Sequence, residues 1–133
     1  MTTHDLPPTA GYLAGEHIDL RSRLGLLERA VDEERAQDEE QRESVLDLAR
    51  ERGLLADGAS TGETVAALYR LIQRSPSLLI GVALVDMVGE HRIQNQPGTD
   101  ETQYRNWRVP LADAAGRAVS VEDLRRADPL VQY

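Results

Sequence analysis

The stretch Leu78-Leu79-Ile80-Gly81-Val82-Ala83-Leu84-Val85 is the longest apolar run in the chain, and turn residues bound it: Ser75-Pro76-Ser77 before and Gly89 shortly after. A short run without polar alternation predicts a strand buried on both faces, as in a parallel sheet, rather than one with a wet face. One parallel strand cannot make a sheet, so its neighbours are expected from a longer chain or from another copy. The run is also far too short to cross a bilayer.

Towards the N-terminus, Ser60-Thr61-Gly62-Glu63 has capping-box spacing ahead of Val65, Leu68, Tyr69 and Ile72 at helical period, which predicts a helix ending near Arg74. Two earlier helices are expected. One runs from Asp19 to about Arg35, with Leu20, Leu24, Leu27 and Val31 on one face and a weak point at Gly25. The other runs from about Asp38 to Arg52, turns Val45, Leu46, Leu48 and Ala49 inward, and stops at Gly53. The charges between Glu28 and Glu43 are mixed in sign and spaced for i,i+4 pairing, which reads as a solvated helix face rather than a binding tail. Residues 1–15, with Pro7-Pro8, Gly11 and Gly15, read as a loop. On the C-terminal side a helical turn is expected at Asp86-Met87-Val88, followed by a loop of about twenty residues to Pro110, a length usually functional or disordered in compact domains. In an α/β barrel the loop after a strand lies on the face that carries the active site. Ser120 should cap a short helix with Glu122 and Asp123 in its first turn, before Pro129 interrupts it.

At 133 residues the chain can form one domain at most. Its formal charge of −8 repels phosphate backbones and anionic lipid, so neither nucleic acid nor a membrane is an expected partner. The absence of cysteine excludes disulfides, thiolate metal sites and a cysteine nucleophile, and fits a cytoplasmic location. All 15 basic residues are arginine and phenylalanine is absent, a compositional bias without mechanism.

Chemistry has few places to reside. His4-Asp5, on a proline-rich loop, pairs an imidazole with a carboxylate and can hydrogen-bond a polyol, although the dipeptide alone is weak evidence. The long loop offers Asn95, Gln96, Asn106 and Arg108 as hydrogen-bonding groups and Trp107 as a stacking face, a mixture suited to a neutral sugar. Equally, Asn95-Gln96-Pro97-Gly98 could be a plain turn in which Pro presets φ and Gly relieves strain. His17 and His91 have no partner at a metal-ligand spacing, and no phosphate loop, nucleophile elbow or dinucleotide fingerprint is present. Neither metal nor cofactor is expected.

Thr3-His4-Asp5-Leu6-Pro7 with Gly11-Tyr12, then residues 78–89, then Asn95-Gln96-Pro97-Gly98-Thr99 and Asn106-Trp107-Arg108, stand in the order of motifs found in the amylomaltase-type 4-α-glucanotransferases of glycoside hydrolase family 77. The chain resembles the C-terminal part of that family over roughly residues 1–113. The resemblance implies an α/β fold, the end of a (β/α)8 TIM barrel that would be mostly helical in isolation with one short buried strand. It divides the chain into an active-site loop at 1–15, helices over 16–74, the last barrel strand at 77–85, an active-site loop at 86–113 and a tail at 114–133. It further implies a retaining transferase that passes a segment of an α-1,4-glucan to the 4-hydroxyl of an acceptor sugar, with maltooligosaccharides and the remainder of the barrel as partners. In that scheme Asp5 is the transition-state stabiliser, and His4, Asn95, Pro97, Gly98, Trp107 and Arg108 bind substrate or shape its cleft. The nucleophile and the acid/base belong to family motifs upstream of the His-Asp pair, so this chain is expected to be an inactive fragment. Gln96 departs from the family's more apolar residue, and nothing after Gly116 matches a motif. The rival reading is a small acidic helical interaction module without catalysis.

Overall fold

A computed structural model describes residues 2–126. Among these are six helices, α1 (Thr9–Leu13), α2 (Glu16–Arg23), α3 (Val31–Glu51), α4 (Thr61–Gln73), α5 (Leu84–Val88) and α6 (Val121–Arg126). The first four pack as a cluster in which α1 touches α2 and α4 while α3 touches α2 and α4. The core is centred on α4, where the six residues from Thr64 to Tyr69 are all buried, and Ala10 of α1, Ile18 of α2 and Leu46 and Ala49 of α3 are buried with them.

Local chemistry explains the helix boundaries. Ser60 accepts a bond from the Glu63 amide while the Glu63 carboxylate accepts from the Ser60 amide, so two of the otherwise unmade donors at the start of α4 are satisfied. Gly53, at φ 67°, closes α3 as expected, with the Leu54 amide donating back to Ala49 over 2.9 Å. The helix expected over residues 19–35 is not continuous. Gly25 adopts φ 67° and the Leu26 amide reaches the Arg21 carbonyl at 2.9 Å, a Schellman closure that ends α2. The chain re-enters a helix only at Val31, and α3 then runs unbroken to Glu51 across the gap expected between two helices. Ion pairs Arg42–Asp38 and Arg50–Asp47 line it at i,i+4 and i,i+3. The loop expected over 1–15 also contains a helix, α1, which starts behind Pro8 because a proline can precede a first turn but not sit inside one.

The buried strand expected at 77–85 does not form. Residues 77–83 are irregular, Leu78 and Leu79 are 100% and 93% exposed, and α5 takes up the last residues of the run. A strand exists only through bonds to its neighbours, and none of the described residues supplies one. The sole β-type pairing among them is an isolated antiparallel bridge between Ala112 and Ala118. The described chain is therefore helical with irregular connections rather than α/β. At its far end Ser120 and Asp123 bond reciprocally around the start of α6, as expected; Pro129 lies outside the described residues. None of the described helices is long and apolar enough to cross a membrane.

Candidate functional site

His4 and Asp5 are the central residues of a tight turn closed by the Leu6 amide on the Thr3 carbonyl at 3.1 Å. His4 Nε2 lies 3.1 Å from Asp5 Oδ2, and both side chains are about half exposed. Residues some ninety positions away meet this turn. The Asn95 backbone amide donates to the His4 carbonyl at 3.0 Å, and its side-chain amide donates to Asp5 Oδ1 at 2.6 Å. Each Asp5 oxygen is thus engaged, one by His4 and one by Asn95, and the carboxylate is aimed rather than loose. The Trp107 ring lies over His4 with centroids 5.0 Å apart and remains 65% exposed.

Trp107 has φ 61°, making it the single non-glycine residue in the left-handed region among those described. That conformation costs an L-residue on the order of 1–2 kcal/mol and persists only where the surroundings over-determine it. Here its amide donates to the Gln94 carbonyl at 2.9 Å, and the adjacent Asn106 closes the loop from inside. Asn106 Oδ1 accepts from the Gln96 amide at 2.8 Å, its amide reaches Thr99 Oγ1 at 2.9 Å, and that hydroxyl donates to the Gln96 carbonyl. Gln96 is buried by this arrangement, whereas Pro97 and Gly98 form the exposed tip of the turn. Arg108 points its guanidinium at Glu101 over 2.6 Å, a pair so exposed that solvent screens most of its energy. Of the expected site residues, the structure brings together His4, Asp5, Asn95 and Trp107; Pro97 and Gly98 shape the loop, and Arg108 is engaged elsewhere.

Two buried acids, Asp86 and Glu90, brace the segments that form the site, and neither is among the expected site residues. Asp86 Oδ1 accepts from the Thr9 amide, and Oδ2 accepts from both the Thr9 and Tyr69 hydroxyls, all at 2.7 Å. Glu90, 2% exposed, accepts from the His91 and Arg92 amides, from the Arg92 guanidinium and from the Ala112 amide at 2.8 Å. Burial alone would raise the pKa of Glu90, but the Arg92 and Ala112 donors outweigh it and hold the carboxyl below its ordinary value. Immediately after Glu90 the chain passes so close to α1 that a Cβ on Gly11 would lie 2.1 Å from the His91 carbonyl oxygen. Both acids depend on distant chain: Asp86 takes its donors from 77 and 17 positions away, and Glu90 adds to its neighbours His91 and Arg92 a donor 22 positions on.

Chemically, the cluster offers an oriented carboxylate, an imidazole and an open aromatic face, which suits the hydroxyls and the apolar face of a sugar. Bond cleavage with retention requires two further roles, nucleophile and acid/base, and the groups in contact with Asp5 are His4 and Asn95. The described residues contain no group of three His, Asp or Glu side chains that could hold a metal ion.

A family model described as 4-alpha-glucanotransferase matches residues 1–115. The 4-alpha-glucanotransferases of Mycobacterium bovis and of Mycobacterium tuberculosis strain H37Rv are each 50% identical to this chain over 137 aligned residues, covering 99% of it and 19% of their own length. A crystal structure of amylomaltase from Corynebacterium glutamicum superposes with a TM-score of 0.87 at 44% identity, over 97% of this chain and 20% of that one. The chain therefore spans about a fifth of the length of these relatives.

Proposed function

Because this chain belongs to the 4-alpha-glucanotransferase family, we propose that it works as the C-terminal part of a (β/α)8 barrel transferase acting on α-1,4-glucans. The observation that carries the reading is the meeting of the His4-Asp5 pair with Asn95 and Trp107 from some ninety or more positions away, Asn95 on Asp5 and Trp107 on His4. In the proposed reaction a carboxylate from another part of the barrel attacks the anomeric carbon, a second carboxyl protonates the leaving oxygen, and the acceptor's 4-hydroxyl then displaces the enzyme. Asp5 holds the hydroxyls of the sugar undergoing distortion, and its bonds strengthen as positive charge develops on the ring. His4 contributes a second polar contact, Trp107 a stacking face, and Asn95 fixes the orientation of Asp5; Pro97, Gly98 and Arg108 shape the cleft wall. The double displacement uses carboxyl chemistry alone, without metal or cofactor.

In the whole enzyme residues 77–85 become the eighth strand, since the neighbouring strands would supply the missing bonds and cover Leu78 and Leu79. Residues 86–113 then form the loop at the strand's C-terminal end, where barrel enzymes place their chemistry. Maltooligosaccharides are the substrates in this reading, and the cytoplasm its location. An interaction module would leave the convergence on Asp5 unexplained.

The test is maltotriose disproportionation by the full-length transferase, numbered as here. Asp5→Asn should lower kcat by about 10²–10³ with little change in melting temperature, because the side chain is half exposed and outside the core. An Asp5→Asn enzyme with wild-type kcat would remove Asp5 from the transition state.

A further inference from the structure

We infer that Asp86 is a positioning residue for Asp5, acting from the interior on both segments that hold the carboxylate. The inference rests on the proposed role of Asp5 and adds to it a buried group that touches no substrate. Asp86 is 4% exposed, as is Thr9. Its three bonds at 2.7 Å fasten the first residue of α1 and the Tyr69 hydroxyl of α4, which in turn accepts the Ala83 amide at 3.2 Å. Thr9 follows Asp5 by four residues, and two of the three between them are prolines. Pro7 and Pro8 have restricted φ and lack an N–H, so the tether is stiff and a displacement at Thr9 is passed to Asp5 rather than absorbed.

The other side of the clamp starts from the same acid. Asp86 lies nine residues before Asn95, whose two donors grip His4 and Asp5. The intervening chain is braced by Glu90 on Arg92 and Ala112 and by the backbone approach of His91 to Gly11. Asp86 therefore fixes the distance between the segment carrying Asp5 and the segment carrying Asn95. An asparagine in its place keeps the shape but replaces one acceptor oxygen with a donor facing two hydroxyls, one of which already accepts from Ala83.

The experiment is a double-mutant cycle in the full-length transferase, with kcat and KM for maltotriose measured on wild type, Asp86→Asn, Asp5→Ala and the double variant. Displacing a reacting-site group by a fraction of an ångström should lower kcat of Asp86→Asn about 10- to 100-fold while KM stays nearly constant. In the Asp5→Ala background the same change should have no further effect, since there is no carboxylate left to misplace. An equal loss in both backgrounds, or a rise in KM at unchanged kcat, would overturn the inference. Should Asp86→Asn not accumulate as folded protein, Thr9→Val removes one hydroxyl bond, keeps the backbone bond, and carries the same cycle. Absence of glucan transfer by the wild-type enzyme would overturn the functional reading itself; an active wild type with an additive cycle would overturn only the role of Asp86.

Discussion

Gly11 shows how a single position can be decided by chain far away. It lies in α1 with helical dihedrals, so its lack of a side chain is not needed for a left-handed turn. It is needed because the His91 carbonyl oxygen occupies the place a Cβ would take, 2.1 Å away, and neither backbone has slack. Gly11→Ala should destabilise the chain by about 1–3 kcal/mol, the range for overpacking a fitted interior, seen as a lowered melting temperature by circular dichroism. An unchanged melting temperature would mean that the approach can relax. Gly11-Tyr12 was legible as part of a family motif, but the steric reason was not, because eighty positions separate the two backbones. Asp86 and Glu90 were illegible for the same cause: burial of an acid is visible only once its donors have been brought to it.

At the scale of elements, features encoded within one turn of chain were readable and those requiring a neighbour were not. The Ser60 capping box, the Gly53 stop and the Ser120 start each depend on residues within five positions, and each is present. The apolar run at 78–85 carried a correct signal about composition, but a strand is a relation between segments and cannot be realised by one. The junction of α2 with α3 supplies a pH prediction. His17 Nε2 meets Asp38 at 3.0 Å, Arg42 binds the other Asp38 oxygen at 2.6 Å, the Tyr12 ring lies against the imidazole, and His17 Nδ1 is buried without a partner. Burial pushes the His17 pKa below its ordinary value, although Asp38 pulls the other way. The unfolded chain therefore binds this proton more readily than the folded one. The stability held by neutral His17 is complete above the unfolded value of about 6.5 and is lost as pH falls through the lower folded value. Melting temperature should accordingly drop on acidification below about pH 6.5, and His17→Gln should flatten that part of the profile. Equal acid sensitivity in the variant would place its origin in other groups.

The described residues combine a cluster of four helices, a site where the His4-Asp5 turn meets the loop carrying Asn95 and Trp107, and an exposed apolar stretch around Leu78 and Leu79. Leu78 and Leu79 are almost fully exposed, and Leu84 and Met87 nearly half exposed; contiguous surface of this kind drives association when nothing covers it. In isolation the 133-residue chain should show concentration-dependent mass by sedimentation velocity, and Leu78→Gln with Leu79→Gln should shift it towards monomer without altering helix content. A doubly substituted chain that associates as before would exclude this stretch as the cause. At this scale the apolar run was legible in the sequence, whereas its irregular, exposed conformation was not, because none of the described residues offers it a strand edge. The connection between α3 and α4 adds a different kind of consequence. Ala56, Asp57 and Gly58 are exposed at a turn, while His4 and Asp5 lie on one side of it in sequence and Asn95 and Trp107 on the other. A protease nick at that turn would divide the acid from its aromatic companion yet leave α1 and α3 packed on α4. The chain thus contains the layout of a split reporter, in which the contacts of Asn95 and Trp107 with the His4-Asp5 turn return only when two separately made halves find each other.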